Sequence, residues 1–458
     1  MNQSYLSKEN LIIKTSVSDD KIYIREQFGQ FQRIRRYLSS LLMLMFIVIP
    51  FFRYQGHQAV LFDVEQQKLH FFAYTLFPQD LFIFSLLFAL AAFSLFYVTK
   101  LYGRVWCGFT CPQTIWTLMF NWIERRVEGT HNQSKKLDSQ PLTADKVVKK
   151  LVKHGLWGAL SLLTALVFMS YFVPVEMLYL PFITLQSSAL VAGWVLFFAG
   201  CTYVNAGWIR EKMCQHMCPY SRFQSAMFDK STSLVTYDAA RGESRGKRKR
   251  NAEKAQGLGD CVDCDLCVQV CPVGIDIREG LQYECINCGL CVDACDTTMS
   301  KFNYAPGLIS FAQEKAAIGG WRRHLGYAGV IGLIVISMGI WASMWTNFEV
   351  NVLRDRQALY RINEQGAVEN TYVFKIRNKS NMPASYQVTL LSDADIQFTG
   401  NTSDIVVLPG ELKTISLTAE YREAPANQRL DLAFDIEAKG SNHQLTKSSS
   451  FYTGDGGW

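Results

Sequence analysis

The sequence predicts a multi-domain membrane protein: an α-helical transmembrane bundle of about five spans, a cysteine-rich insert before the last span, and a C-terminal all-β sandwich. Three observations carry that reading. Long apolar runs recur between residues 38 and 345, cysteines crowd into residues 261–295, and residues 350–458 alternate apolar with polar side chains. The composition agrees, because 458 residues that are 49% hydrophobic and 13% aromatic, with a mean hydropathy of +0.04, are too apolar for one soluble domain and too polar for spans alone.

Five stretches can span: Leu38 to Phe52, Leu81 to Thr99, Gly155 to Val173, Leu185 to Val204 and Leu325 to Trp345. All but the first approach the roughly 20 residues that a bilayer core requires. The first is short, but Tyr37 and Arg53 flank it and can snorkel; a buried core helix is the alternative. A largely polar segment precedes it and no small-x-small pattern follows it, so no signal peptide is expected.

Charge placement orients these spans. Arg33, Arg35 and Arg36 precede the first; Lys135, Lys136, Lys149, Lys150 and Lys153 separate the second from the third. Arg245, Lys247, Arg248, Lys249, Arg250, Arg322 and Arg323 separate the fourth from the fifth. Residues 54–80 carry only Lys68, and 174–184 carry neither Lys nor Arg. The expectation is a bacterial inner-membrane protein with its N-terminus and insert cytoplasmic and its C-terminal domain periplasmic. The domains are then a cytoplasmic N-terminal segment 1–36, a membrane domain 37–250, an insert 251–305, a fifth span 325–345 and a sandwich 350–458. The basic run 245–250 reads as a topology or lipid-headgroup signal, so the bilayer and not a nucleic acid is its expected partner.

The insert reads C-x2-C-x2-C-x3-C-P from Cys261 to Pro272 and C-x2-C-x2-C-x3-C from Cys285 to Cys295. This is the bacterial two-cluster ferredoxin spacing, in which the fourth cysteine of each run ligates the other cluster. One [4Fe-4S] cluster takes Cys261, Cys264, Cys267 and Cys295; the second takes Cys285, Cys288, Cys291 and Cys271. A pair of zinc knuckles is the competing reading, and the paired runs argue against it. Asp296 stands where a ferredoxin usually has proline.

Two further pairs need an explanation. "WCGFTCPQTIW" places Cys107 and Cys111 after the second span, and "KMCQHMCPYSRFQ" places Cys214 and Cys218 after the fourth. Both have the form C-x3-C-P, so span, thiol pair and proline form an internal repeat that is expected to gather four thiols near the inner surface. A helical C-x3-C puts both sulfurs on one face, and the proline then opens a new helix. Soft thiolates, with Met213, Met217 and His216 interleaved, favour Cu(I), zinc or an iron-sulfur cluster over hard cations. A third cluster and simple helix capping remain alternatives. Cys201, unpaired within the fourth span, is expected to be an inert packing residue.

Other cofactors find little support. His57, His70, His131, His154, His216, His324 and His443 lie outside or at the edges of the five segments, so a haem held between spans is not expected. No G-x-G-x-x-G follows a strand. Electrons should arrive from a cytoplasmic or membrane donor.

In the C-terminal region, "TYVFKIRN", "ASYQVTLL", "IVVLPGELKTISLTAEY" and "LDLAFDIEA" alternate, with Asn378, Pro409 and Gly410 among the turn residues. About 100 residues of short strands suggest an immunoglobulin-like sandwich, without cysteines for a cross-sheet disulfide.

Nearly the whole chain resembles the CcoG/FixG (RdxA) family of cytochrome c oxidase accessory proteins. The likeness rests on "FDVEQQKLHFFAYTLFPQDLF", both C-x3-C-P pairs, "YDAARGESRG", the paired cluster motifs and the sandwich. It implies a cupric reductase that converts Cu(II) to Cu(I) for assembly of cbb(3)-type cytochrome c oxidase, working with oxidase assembly factors and copper carriers. It also implies that Cys107, Cys111, Cys214 and Cys218 match the family's membrane-proximal motifs. Chemistry agrees, since a thiolate site prefers Cu(I) and so raises the copper potential. Two rivals remain: an electron-transfer subunit resembling quinol dehydrogenases, and a non-catalytic copper chaperone or assembly scaffold.

Overall fold

The computed structural model describes residues 21–54, 56–72, 74–228, 231–250, 256–312, 320–355, 358–380, 382–392, 395–422, 428–439 and 444–454. Residues 1–20 of the N-terminal segment, residues 251–255 of the insert, His443, and the side chains of Arg322 and Arg323 lie outside that description. Two compact units emerge: residues up to Phe51 with Phe84–Ser337, and Phe52–Ile83 with the chain from Met338 onward.

Among the described residues, five helices are long and apolar enough to cross a membrane: Gln30–Phe51, Pro78–Tyr102, Ala144–Met169, Ala189–Ile209 and His324–Met344. The first is longer than its apolar run because its opening turn is polar and anchored. Asp293 of the insert accepts hydrogen bonds from the backbone N–H of Phe31 (3.2 Å) and Gln32 (2.9 Å), satisfying donors that a helix start leaves orphaned. The third span starts at Ala144 rather than Gly155, capped by Thr143, whose hydroxyl accepts from Lys146 N–H.

That extension corrects the expected position of His154, which lies within the spanning helix. Its ring faces Tyr203, with Nδ1 2.8 Å from the hydroxyl, and stacks on Trp208.

The third span packs on the fourth through Ala165, Leu166, Met169 and Val195. A helix at Pro112–Glu128 joins them through Phe120, Ile123, Trp157 and Ala206, and Trp157 Nε1 donates to Phe120 O. The fourth span does not end as an ordinary helix. It passes into a π-turn at Val204–Ile209, then Arg210 at φ +46°, then a second π-turn at Met213–Met217. Such widened turns are rare and recur at functional sites.

In the second unit, strands 396–399, 412–421, 368–378 and 348–354 form one antiparallel sheet, with 361–362 pairing on 368–378. Strands 405–407, 384–391, 429–438 and 444–452 form the other. Strand 368–378 alternates buried and half-buried residues along its whole length. Its Tyr372, Phe374 and Ile376 meet Tyr386, Phe434 and Phe451 in the core, which is the period of two that a sandwich requires. Residues 52–83, grouped with the membrane domain by the sequence reading, belong to this unit. They contribute strands 60–63, 68–71 and 74–76. Here the Lys379 ammonium meets both carboxylate oxygens of buried Asp80, at 2.9 and 3.0 Å.

Candidate metal centres

Within the insert, each cysteine run turns around its own cavity because two residues per run adopt left-handed backbone conformations. In the first they are Asp263 (φ 51°) and Asp265 (φ 53°); in the second, Asn287 (φ 51°) and Gly289 (φ 71°). Asp, Asn and Gly tolerate that region best. The run C-x-[DN]-C-[DG]-L-C thus encodes the loop as well as the ligands.

One cavity is lined by Cys261, Cys264, Cys267 and Cys295. The other is lined by Cys271, Cys285, Cys288 and Cys291, with Cys267 at its edge. The fourth cysteine of each run therefore crosses to the other cavity. The remaining walls are largely apolar, including Val235, Ile275 and Leu290 around the second cavity and Leu308 and Ile309 around the first. Burial pushes the Cys267, Cys271 and Cys295 thiols up to about 12 and Cys285 to about 11. Such pockets disfavour bare thiolates, so the charge they need comes from bound iron. Two sets of four thiols in shielded cavities suit two [4Fe-4S] clusters.

Asp296 has its own role. Without a proline there, the helix Leu290–Lys301 runs on, and the Asp296 carboxylate accepts from Gly307 N–H at 2.8 Å.

The C-x3-C-P pairs are built alike. Cys107 lies in the short helix Val105–Phe109, and Cys111 stands directly before Pro112, which opens the next helix. Cys214 lies in the second π-turn, and Cys218 precedes Pro219 in the same way. Thr114 Oγ1 donates to Cys107 O (2.6 Å), and Ser221 Oγ donates to Cys214 O (2.5 Å). These hydroxyls hold equivalent places in C-P-x-[ST], so the repeat extends beyond the thiols.

The four thiols lie close enough to perturb one another electrostatically. Cys107 interacts electrostatically with Cys111 and Cys218, and Cys214 with Cys107, Cys111 and Cys218. Burial pushes Cys107 up to about 11 and Cys214 to about 12, and Arg104 only partly offsets this. Cys107 Sγ also lies 3.2 Å from Gln224 Oε1. Of the interleaved residues, His216 and Met217 are exposed and Met213 is half-buried. Among the described residues no three His, Cys, Asp or Glu side chains converge at the spacing of a single ion. The ferredoxin cysteines share this property, and four thiolates around a cube stand further apart than four around one ion. Cys201 lines a separate recess with Phe46, Trp116 and Phe198.

Two residues not singled out from the sequence join the quartet to the second cavity. Arg104 is 1% exposed. It donates to Tyr283 O at 2.7 Å and faces Cys107, Cys111 and Cys214 on one side and Cys285 on the other. Gly108 packs on the loop of the second cavity so tightly that a Cβ there would stand 2.7 Å from Ile286 O and 2.9 Å from Cys288 Cα. Cys107 and Cys288 share one buried cluster with Ile286 and Leu290. A glycine one residue after the first thiol, and an arginine three before it, were the available signals.

Membrane helices, a cysteine-lined double cavity and an adjoining thiol quartet define a membrane-bound iron-sulfur electron-transfer protein. A 4Fe-4S dicluster domain is matched over residues 209–314, and an Ig-like fold at the C-terminal of FixG over 338–454. The chain belongs to the FixG/RdxA family. It is 34% identical over 401 residues to nitrogen fixation protein FixG of Rhizobium meliloti, covering 78% of this chain and 76% of that one. It is 32% identical over 457 residues to protein RdxB of Cereibacter sphaeroides (94% and 96%), and 32% over 434 residues to RdxA of the same organism (88% and 89%).

Proposed function

We propose that this protein is a cupric reductase of the bacterial inner membrane, supplying Cu(I) for assembly of cbb(3)-type cytochrome c oxidase. The observation that carries the reading is the thiol quartet of Cys107, Cys111, Cys214 and Cys218, packed against the second cluster-binding loop through Arg104 and Gly108. Clusters bound by the eight insert cysteines supply one-electron transfer. Copper is the substrate: each Cu(II) takes up one electron and leaves as Cu(I), and the thiolates remain thiolates. A low-potential one-electron carrier protein is the donor class that replaces the electron. Soft sulfur ligation favours the reduced ion. The charge distribution in the loops supports a cytoplasmic insert and a periplasmic sandwich, with copper carriers and oxidase assembly factors as partners.

A second reading is that the quartet holds a third iron-sulfur cluster, which its wide thiol spacing favours. The Cys214→Ala plus Cys218→Ala double variant separates the two. Under the copper reading its iron content and EPR signals stay intact while Cu(II) reduction falls sharply. Under the third-cluster reading iron falls by about four atoms per chain. Unaltered copper reduction at full iron content would overturn the proposal.

A further inference from the structure

We infer that Arg35 and Arg104 raise the reduction potential of the cluster held by Cys271, Cys285, Cys288 and Cys291 above that of its neighbour. The electron would then rest on the cluster beside the thiol quartet. The inference rests on the two-cluster reading of the insert.

Arg35 lies in the opening turns of the first span, where an arginine ordinarily reaches for headgroups and water. It does the opposite. It is 3% exposed, lies beside Pro272 and Leu290, and faces Cys271 and Cys288. Its Nε is buried without a hydrogen-bond partner in the protein. The nearby Asp293 carboxylate already accepts from the Phe31 and Gln32 N–H groups, one with each oxygen. Arg104 repeats the pattern from the other side. It is buried, its Nη1 is bound to Tyr283 O, its Nε is unpartnered, and it faces Cys285. A buried donor left unpaired is costly. An anionic cluster is the partner that both guanidiniums lack.

Opposing charge at this cavity comes from Glu284, buried on the same loop with Oε2 unpartnered and facing Cys285. Two buried cations stand here against Glu284 and Asp293, and the Asp293 carboxylate is already bound by two helix N–H groups. At the other cavity carboxylates are more numerous, although Arg248, with Nε and Nη1 also unpartnered, donates to Gly259 O two residues before Cys261. Arg278 is held by three carboxylates, those of Asp263 (2.8 Å), Asp265 (2.7 Å) and Asp276 (2.6 Å). Asp296 faces Cys295, and Tyr237, bonded to Glu243, faces Cys261. Adding an electron makes a cluster more negative, so nearby buried cations and N–H donors favour reduction and carboxylates oppose it. Cys264 of the acidic cavity is exposed, and solvent there works in the other direction. It acts on one ligand at high dielectric, whereas both arginines are buried.

The test is an EPR-monitored redox titration of the purified, iron-loaded full chain without copper. The Cys264→Ser and Cys288→Ser variants assign each signal to its cavity. In the parent the signal of the Cys288 cluster should have the higher midpoint. Arg35→Met and Arg104→Met should each weaken its reduction at least tenfold, about 59 mV for one electron, at full iron content and with the other midpoint fixed. Should a methionine variant lose iron, Arg35→Gln and Arg104→Gln, which keep a donor without the charge, carry the same expectation. Unmoved midpoints in iron-replete variants, equal shifts of both signals, or a higher midpoint for the Cys264 cluster would overturn the inference.

Discussion

Arg210 Nη2 lies 2.8 Å from Glu124 Oε2, both side chains buried, and this pair joins the two thiol-bearing segments. Glu124 lies on the helix that Pro112 opens after Cys111, and Arg210 stands between the two π-turns, just before Cys214. Gln113 reinforces the join, its Nε2 donating to Asn205 O and Arg210 O. The quartet is therefore held in register by groups that are not themselves thiols.

This pair gives a pH prediction. Burial alone would raise the Glu124 carboxyl, but Arg210, Lys21 and Lys153 outweigh it and hold it down to about 2. A depressed carboxylate contributes stability that is present above its unfolded value of about 4.3 and is lost as pH falls towards 2. Two pH units correspond to about 3 kcal/mol. Glu124→Gln should lower thermal stability in detergent at pH 7 and flatten its dependence between about pH 4.3 and 2. Parallel melting-versus-pH curves for variant and parent would contradict the assignment.

A second expectation concerns Gly108. A methyl group there meets backbone atoms, Ile286 O and Cys288 Cα, which cannot rotate away. Gly108→Ala should cost about 1–3 kcal/mol through overpacking and perturb the EPR signal of the cluster beside Cys288 more than the other. An unchanged spectrum and melting temperature would show that the loop yields freely.

How much of this was legible beforehand depends on where the signal lay. The span count, the sandwich and the crossing ligand runs follow from periodicity and spacing, which are local properties of the chain. Asp293 and Arg35 were not legible as site residues, because their roles arise from a helix that starts far away in sequence. Arg104 carries no local signal beyond a charge at the end of a span. The exposure of His216 and Met217 is not legible either, and nothing in the sequence announces the π-turn at Met213–Met217.

The Asp293 cap fastens the insert to the first span. Asp293→Ala removes the acceptor of two orphan N–H groups, and such caps contribute typically about 1 kcal/mol. Iron content should remain that of the parent while limited proteolysis of the insert accelerates. Lost iron would instead mean that the contact shapes the cavity itself.

The charge distribution predicts sidedness. A reporter active only in the periplasm should be active when fused after Trp458 and silent when fused near Gly257. The reverse pattern would put the insert in an oxidising compartment and overturn the orientation.

The crossing of the ligand runs can be tested by two serine substitutions. Cys264 and Cys288 hold equivalent places in the two runs and line different cavities. Each cavity also takes one cysteine from the other run, Cys295 in the first and Cys271 in the second. Losing one cluster therefore frees a thiol in the run that supplies the other, so the two losses should not be independent. Cys264→Ser or Cys288→Ser should each remove about four of eight iron atoms and one EPR signal, while the surviving signal broadens. The double variant should lose essentially all iron and melt lower than either single variant, since a bound cluster contributes directly to the folding of the loops that hold it. About eight iron atoms per chain in either single variant would contradict the ligand assignment.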